Sequence, residues 1–223
     1  MSSYFSKVPD FEYVSRLPNA KISDYITVKN LFKRGKLRSD IFQELATFEK
    51  YQIMGDDRPD NVANKFYQDP TLDWLVLISN NIVNIQTEWP MVQRDYERFL
   101  LDKYGSHSAL NDIHHYETLE VKNSAVVVML EKELEVESDF TFSYYDGWLK
   151  EQQDITKADC VTSITNYQYE EKIEDAKRNI FLLKTRYLGL VLDDMDELMT
   201  YKKGSTQYVS ETLKKAENIK LYQ

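Results

Sequence analysis

Residues 55–81 read GDDRPDNVANKFYQDPTLDWLVLISNN, and the fold is decided there. Pro59 suits a first helical turn, where a missing backbone donor costs little, and Asp57 and Asp60 complement the positive helix start. Val62, Ala63, Phe66 and Tyr67 then recur at helical spacing and give one apolar face. Asp69-Pro70 is a second start signal, an N-cap residue followed by proline at the first helical position. Behind it Leu72, Trp74, Leu75, Val76, Leu77 and Ile78 are apolar almost all round, which predicts a buried helix. Ser79, Asn80 and Asn81 stop it. Two short helices joined by a tight turn describe a docking module, without the groups that bond-making chemistry needs.

Ahead of the pair, Phe48, Tyr51, Ile53 and Met54 predict a strand. Strand, two helices and a returning strand make an arrangement that resembles the LysM module of phage tail and baseplate proteins. The matching residues are Gly55-Asp56, Pro59-Asp60-x-Val62-Ala63, Lys65-Phe66-Tyr67, Asp69-Pro70-x-Leu72-x-Trp74 and the closing asparagine. Trp89-Pro90, Lys103-Tyr104-Gly105, the run Asn166-Tyr167-Gln168-Tyr169-Glu170-Glu171-Lys172 and Lys177-Arg178-Asn179-Ile180 extend the likeness. Together they resemble the baseplate wedge protein family of contractile-tailed, T-even-type phages, over most of the chain from Phe5 to Tyr201. The resemblance implies an α+β fold with a LysM-like β-α-α-β core and a structural place in the virion tail baseplate. It also implies partners among wedge and hub proteins in a symmetric assembly, built in the host cytoplasm.

Composition agrees with that class. A chain of 223 residues can bury a real core, and 42% hydrophobic with 29% charged residues is ordinary for a globular protein. Sixteen Tyr, ten Phe and three Trp supply many amphipathic rings, which serve cores and interfaces alike. A net charge of −9 and a pI near 5.0 repel phosphate backbones, so sequence-independent nucleic-acid binding is not expected. The local basic stretch Lys29, Lys33, Arg34, Lys36 and Arg38 lacks aromatic interleaving and reads as a solvated face. One cysteine, Cys160, excludes an intrachain disulfide framework. The opening MSSYFSKVPDFEYV shows no secretory pattern, and no run approaches the ~20 apolar residues of a membrane span.

Four segments follow from the patterning. Residues 1–47 read as a helical or irregular arm, with Ile41, Phe42 and Leu45 inward after Ser39-Asp40. Residues 48–121 form the LysM-like domain with a helical insertion at 82–113, where Pro90 opens a helix that Gly105 ends. An early strand near 113–121 is expected to close the motif. Residues 122–162 read as an antiparallel meander with Phe140, Phe142 and Tyr144 on one face, a turn at Asp146-Gly147, and a polar loop from Glu151. Residues 163–223 begin with a capping box, Thr165 with Gln168. Ile173, Ala176, Ile180, Leu183, Tyr187 and Leu190 then step 3-4-3-4-3, the spacing of a long helix with a partner-facing seam; a short extended stretch at 179–184 between two helices is the other reading. The tail from Ser205 is polar enough to order only against a partner.

Chemistry is hard to place on this chain. His114 and His115 are adjacent, so in a strand they face opposite ways and share no metal, and His107 stands apart. Cys160 has no identifiable histidine base. Asp193, Asp194, Asp196 and Glu197 spread around a helix, and Glu131, Glu133, Glu135 and Glu137 suit the wet side of a strand. No phosphate loop or nucleotide fingerprint occurs, so neither enzyme activity, cofactor, metal nor small-molecule substrate is expected. The candidate partner-interface residues are Tyr144, Tyr145, Trp148, Tyr167, Tyr169, Ile173, Ile180 and Leu183. The alternative function is binding of peptidoglycan or another glycan, the usual role of LysM modules. The single module, the missing secretion signal and the insertion after Ile82 all weigh against it.

Overall fold

The expected strand ahead of the helices forms at Phe48–Gln52, and the helices follow at Pro59–Tyr67 and Asp73–Ser79. This computed structural model describes residues 3–21, 23–204 and 207–216 as a mixed α+β chain with several small sheets. It divides into two compact units, Met1–Trp89 with Arg178–Gln223, and Pro90–Lys177. These bounds differ from the four segments read along the sequence, because strand pairing joins residues far apart in the chain.

In the first unit the Asp-Pro turn behaves as its chemistry dictates. Asp69 Oδ1 accepts from the Thr71 N–H and hydroxyl, and Pro70 opens a 3-10 turn, Pro70–Leu72, that runs into the second helix. The strand that returns is not an early one near 113–121. It is Asn179–Leu183, antiparallel to Phe48–Gln52 with Ile180 opposite Tyr51 and Leu183 opposite Phe48. The predicted long seam is therefore broken. A helix at Asn166–Ala176, the strand Asn179–Leu183 and a helix at Leu188–Met199 replace it, as the alternative extended reading of 179–184 anticipated. Strand pairing wins because it buries Ile180, Leu182 and Leu183 against Val62, Leu72, Leu75 and Val76 in one core. Each such side chain contributes roughly 1.5–3 kcal/mol when fully buried.

Two polar groups lock this returning strand. Asn80, at the end of the second helix, donates to the Phe181 carbonyl at 2.9 Å and accepts from the Phe181 N–H at 2.7 Å. Its amide thus pairs the strand's outer edge as a neighbouring strand would, and it also donates to the Val76 carbonyl. The Tyr67 hydroxyl donates to the Leu183 carbonyl, and burial pushes its pKa well up.

The N-terminal arm and the tail correct two further expectations. Asp10–Val14 pairs antiparallel with Tyr25–Lys29 and parallel with Leu213–Lys215, which in turn pairs with Tyr208–Ser210. The tail's described part is therefore ordered by this chain's own first strand. Residues 205, 206 and 217–223 of the tail lie outside the described residues. Of the three residues expected inward near Ser39, only Ile41 is buried, while Phe42 and Leu45 are exposed.

The second unit pairs its strands in three separate groups rather than one meander. Ile113–Thr118 lies between Val161–Thr165 and Glu135–Val136, Val121–Lys122 pairs with Val128–Leu130, and Phe142–Asp146 pairs with Glu151–Ile155. The stretch expected as a polar loop from Glu151 is thus a strand, a helical turn at Lys157–Cys160 and a second strand. Backbone pairing supplies what its polar side chains do not. Phe140, Phe142 and Tyr144 do share one face, packed on Val121, Leu130 and Cys160. The helix Gln93–Tyr104 ends at Gly105 in the left-handed conformation, as expected. Tyr96 and Leu100 of that helix pack on Leu110. Buried Glu170, on the helix Asn166–Ala176, accepts from Lys103 Nζ at 2.5 Å and the Tyr104 hydroxyl at 2.8 Å. The Thr165–Gln168 capping box is formed at that helix's start.

Candidate docking surface

Two hairpin turns in the second unit are held together by one carboxylate. Asp146 ends the strand Phe142–Asp146 and is almost completely buried. Its Oδ2 accepts the Ser124 N–H at 3.0 Å and the Ser124 hydroxyl at 2.8 Å. Its Oδ1 accepts the N–H groups of Trp148 and Leu149 at 2.9 and 3.2 Å. Ser124 lies in the turn between Val121–Lys122 and Val128–Leu130, whereas Trp148 and Leu149 lie in the turn that follows Asp146. The hydrogen bonds from Ser124, with those from Trp148 and Leu149, hold the carboxyl at a pKa of about 2 despite burial, so it stays charged.

The tips so joined are apolar and face solvent. Trp148 is 80% exposed, Val126 73% and Tyr145 63%, with Val127 and Leu149 each more than half exposed. The Asn123 carboxamide oxygen accepts from the Ala125 and Val127 N–H groups and shapes the first tip. Val126 sits there at φ +62°, a left-handed conformation that a β-branched residue adopts only under strain. Apolar side chains thus stand in water on turns whose backbone is held by hydrogen bonds.

The interface candidates from the sequence separate into three groups. Trp148 stands on one tip and Tyr145 on the strand that leads to it, with Tyr144 half-buried and its hydroxyl 3.5 Å from the Lys122 carbonyl. Tyr167 and Ile173 are exposed on the helix Asn166–Ala176, whereas Tyr169 stacks on His114 at 3.9 Å between ring centroids. Ile180 and Leu183 belong to the other unit and are core strand residues, inaccessible while it is folded. Sequence reading missed Val126, Val127 and Leu149. The available signal was the run of three valines after Asn123-Ser124-Ala125, a turn start followed by apolar residues.

The other polar groups are tied to neighbours within the fold. His114 and His115 do not face apart: their Nδ1 atoms lie 2.8 Å from each other, and His115 Nε2 is 3.0 Å from Glu117. Burial pushes the Glu117 carboxyl up, but His115 and Lys172 outweigh it and leave the pKa lowered. Among the described residues no group of three or more His, Cys, Asp or Glu converges as a metal site. Cys160 is fully buried, with its Sγ 3.8 Å from the Phe140 carbonyl oxygen. No described helix is long and apolar enough to cross a membrane.

Comparison with known proteins adds one match. The family model described as base plate wedge protein 53 matches residues 3–146. That span holds the strand and two helices at 48–79, the valine tip and Asp146, and stops short of Trp148. No curated protein matches the chain.

Proposed function

The chain belongs to the phage base plate wedge protein 53 family, and on that premise we propose that it joins wedge proteins to one another and around the central hub through protein–protein contacts alone. The observation that carries the reading is the pair of apolar hairpin tips fixed by Asp146. Trp148 and Tyr145 supply the aromatic anchors that dominate binding energy at interfaces. Val126, Val127 and Leu149 supply the surrounding apolar area. The strand–helix–helix–strand at 48–79 and 179–183 acts as a LysM-like rigid core that serves protein docking rather than sugar binding. Assembly takes place in the host cytoplasm, into the tail baseplate of a contractile virion, where the protein meets both wedge and hub components.

The test is coexpression of the full chain with the other baseplate proteins of its phage, followed by size-exclusion chromatography. A shared complex that Trp148→Ala and Val126→Asp dissolve, with the variants still folded, supports the reading. A complex indifferent to both substitutions overturns the assignment of this surface. Retention of the purified protein on peptidoglycan or chitin, with no baseplate complex, overturns the structural role in favour of glycan binding.

A further inference from the structure

The first unit contains a groove of ≈ 580 Å3 where Lys33, Lys36, Arg38, Lys202 and Lys214 converge beside the end of the helix Leu188–Met199. Only part of this charge is balanced. Arg38 pairs with Asp40 at 2.6 Å and lies 3.7 Å from Asp194. Lys33 is spent on the helix end, where its ammonium donates to the Leu198 and Thr200 carbonyls at 2.8 and 2.7 Å. That leaves Lys36, Lys202 and Lys214, for which no salt bridge forms among the described residues, with Asp194 and Glu197 as the carboxylates lining the groove. Lys33 and Lys214 share one buried ring, lying 4.9 and 5.0 Å from the centroid of Tyr201, whose face attracts both. Burial, then Lys214 and Lys202, lowers the Lys33 pKa, so these cations repel one another.

Gathering cations that lack carboxylate partners into a groove costs stability, and a chain of net charge −9 has acid to spare for pairing them. The cost is offset when an anionic partner enters. We propose that this groove takes up an acidic, Asp- and Glu-rich segment of a partner protein. The surface lies apart in sequence from the hairpin tips and draws on residues 33–38, 194–202 and Lys214, so it is a second, electrostatic docking point. A protein segment fits better than a nucleic acid, because Asp194 and Glu197 line the same groove and the protein's overall charge repels a long phosphate chain. Short carboxylate side chains can seat between those acids where a continuous backbone of charge cannot.

Fluorescence anisotropy of the full chain tests it, with a labelled poly-glutamate peptide and a length-matched single-stranded DNA as probes. The peptide should bind, weaken as salt is raised, and bind roughly tenfold more weakly to Lys36→Glu/Lys202→Glu. Neither lysine holds a described structural contact, so circular dichroism should match the parent; if the double charge reversal fails to fold, Lys36→Gln/Lys202→Gln should show the same loss. Absence of peptide binding, an affinity unmoved by the substitutions, or tighter binding of the DNA overturns the proposal. Loss of the hairpin-tip complex in Trp148→Ala leaves this binding intact, which separates the two surfaces.

Discussion

Asp146 receives two hydrogen bonds from Ser124, one from its backbone N–H and one from its hydroxyl, across a gap of 22 residues in sequence. The same carboxylate caps its own turn through Trp148 and Leu149. One buried anion therefore fixes two exposed tips that share no strand pairing with each other.

Asp146→Asn keeps the shape but offers a single acceptor oxygen where two are in use. One of the two turns must then lose its partner, leaving buried donors unsatisfied. The expected result is a folded protein with faster amide exchange at Ser124 or at Trp148 and Leu149, and weaker retention of baseplate partners. Hydrogen exchange by NMR reads the first effect, and coelution reads the second.

Acid should release the same junction. The folded Asp146 pKa is about 2, against an ordinary 3.8, so the group is depressed in the folded state. Its contribution to stability is complete above the unfolded value and is lost as pH falls from near 3.8 toward 2. Trp148 fluorescence followed across that window should change in the parent and not in Asp146→Asn.

Val126→Gly tests whether strain is stored for a purpose. Glycine adopts φ +62° freely, so relief of about 1 kcal/mol or more is expected from the left-handed penalty, less glycine's own entropy cost. Denaturant unfolding should show equal or greater stability, while partner binding falls because an exposed apolar side chain is gone.

Asn80→Ala removes two hydrogen bonds that tie the second helix to the returning strand, and a third to the Val76 carbonyl within the helix itself. Leaving the Phe181 edge without its partner should cost about 1–3 kcal/mol in denaturant unfolding. Amide exchange at Phe181 should quicken.

Leu182→Ala, at a fully buried position in the same strand, should cost about 2–5 kcal/mol through lost transfer energy and the cavity left behind. Thermal unfolding measures it. An effect near zero would remove Asn179–Leu183 from the core.

What the residues settled alone was local. Pro59, Asp69-Pro70, the Thr165–Gln168 box and Gly105 act on neighbours within a turn or two, and all of these elements stand where the chemistry put them. Trp148 and Tyr145 stood out as partner-interface candidates beside the Asp146-Gly147 turn, and both are exposed. What the tertiary structure decided was which distant segments pair. Ile180 and Leu183 fit a helical seam and a buried strand equally well by spacing, and only the vacant edge of Phe48–Gln52 chose the strand. The same holds for Leu213–Lys215 against Asp10–Val14, and for Ser124 under Asp146. Hydrogen bonds between strands and buried apolar area are earned between residues far apart, so their partners leave no periodic mark in the chain itself.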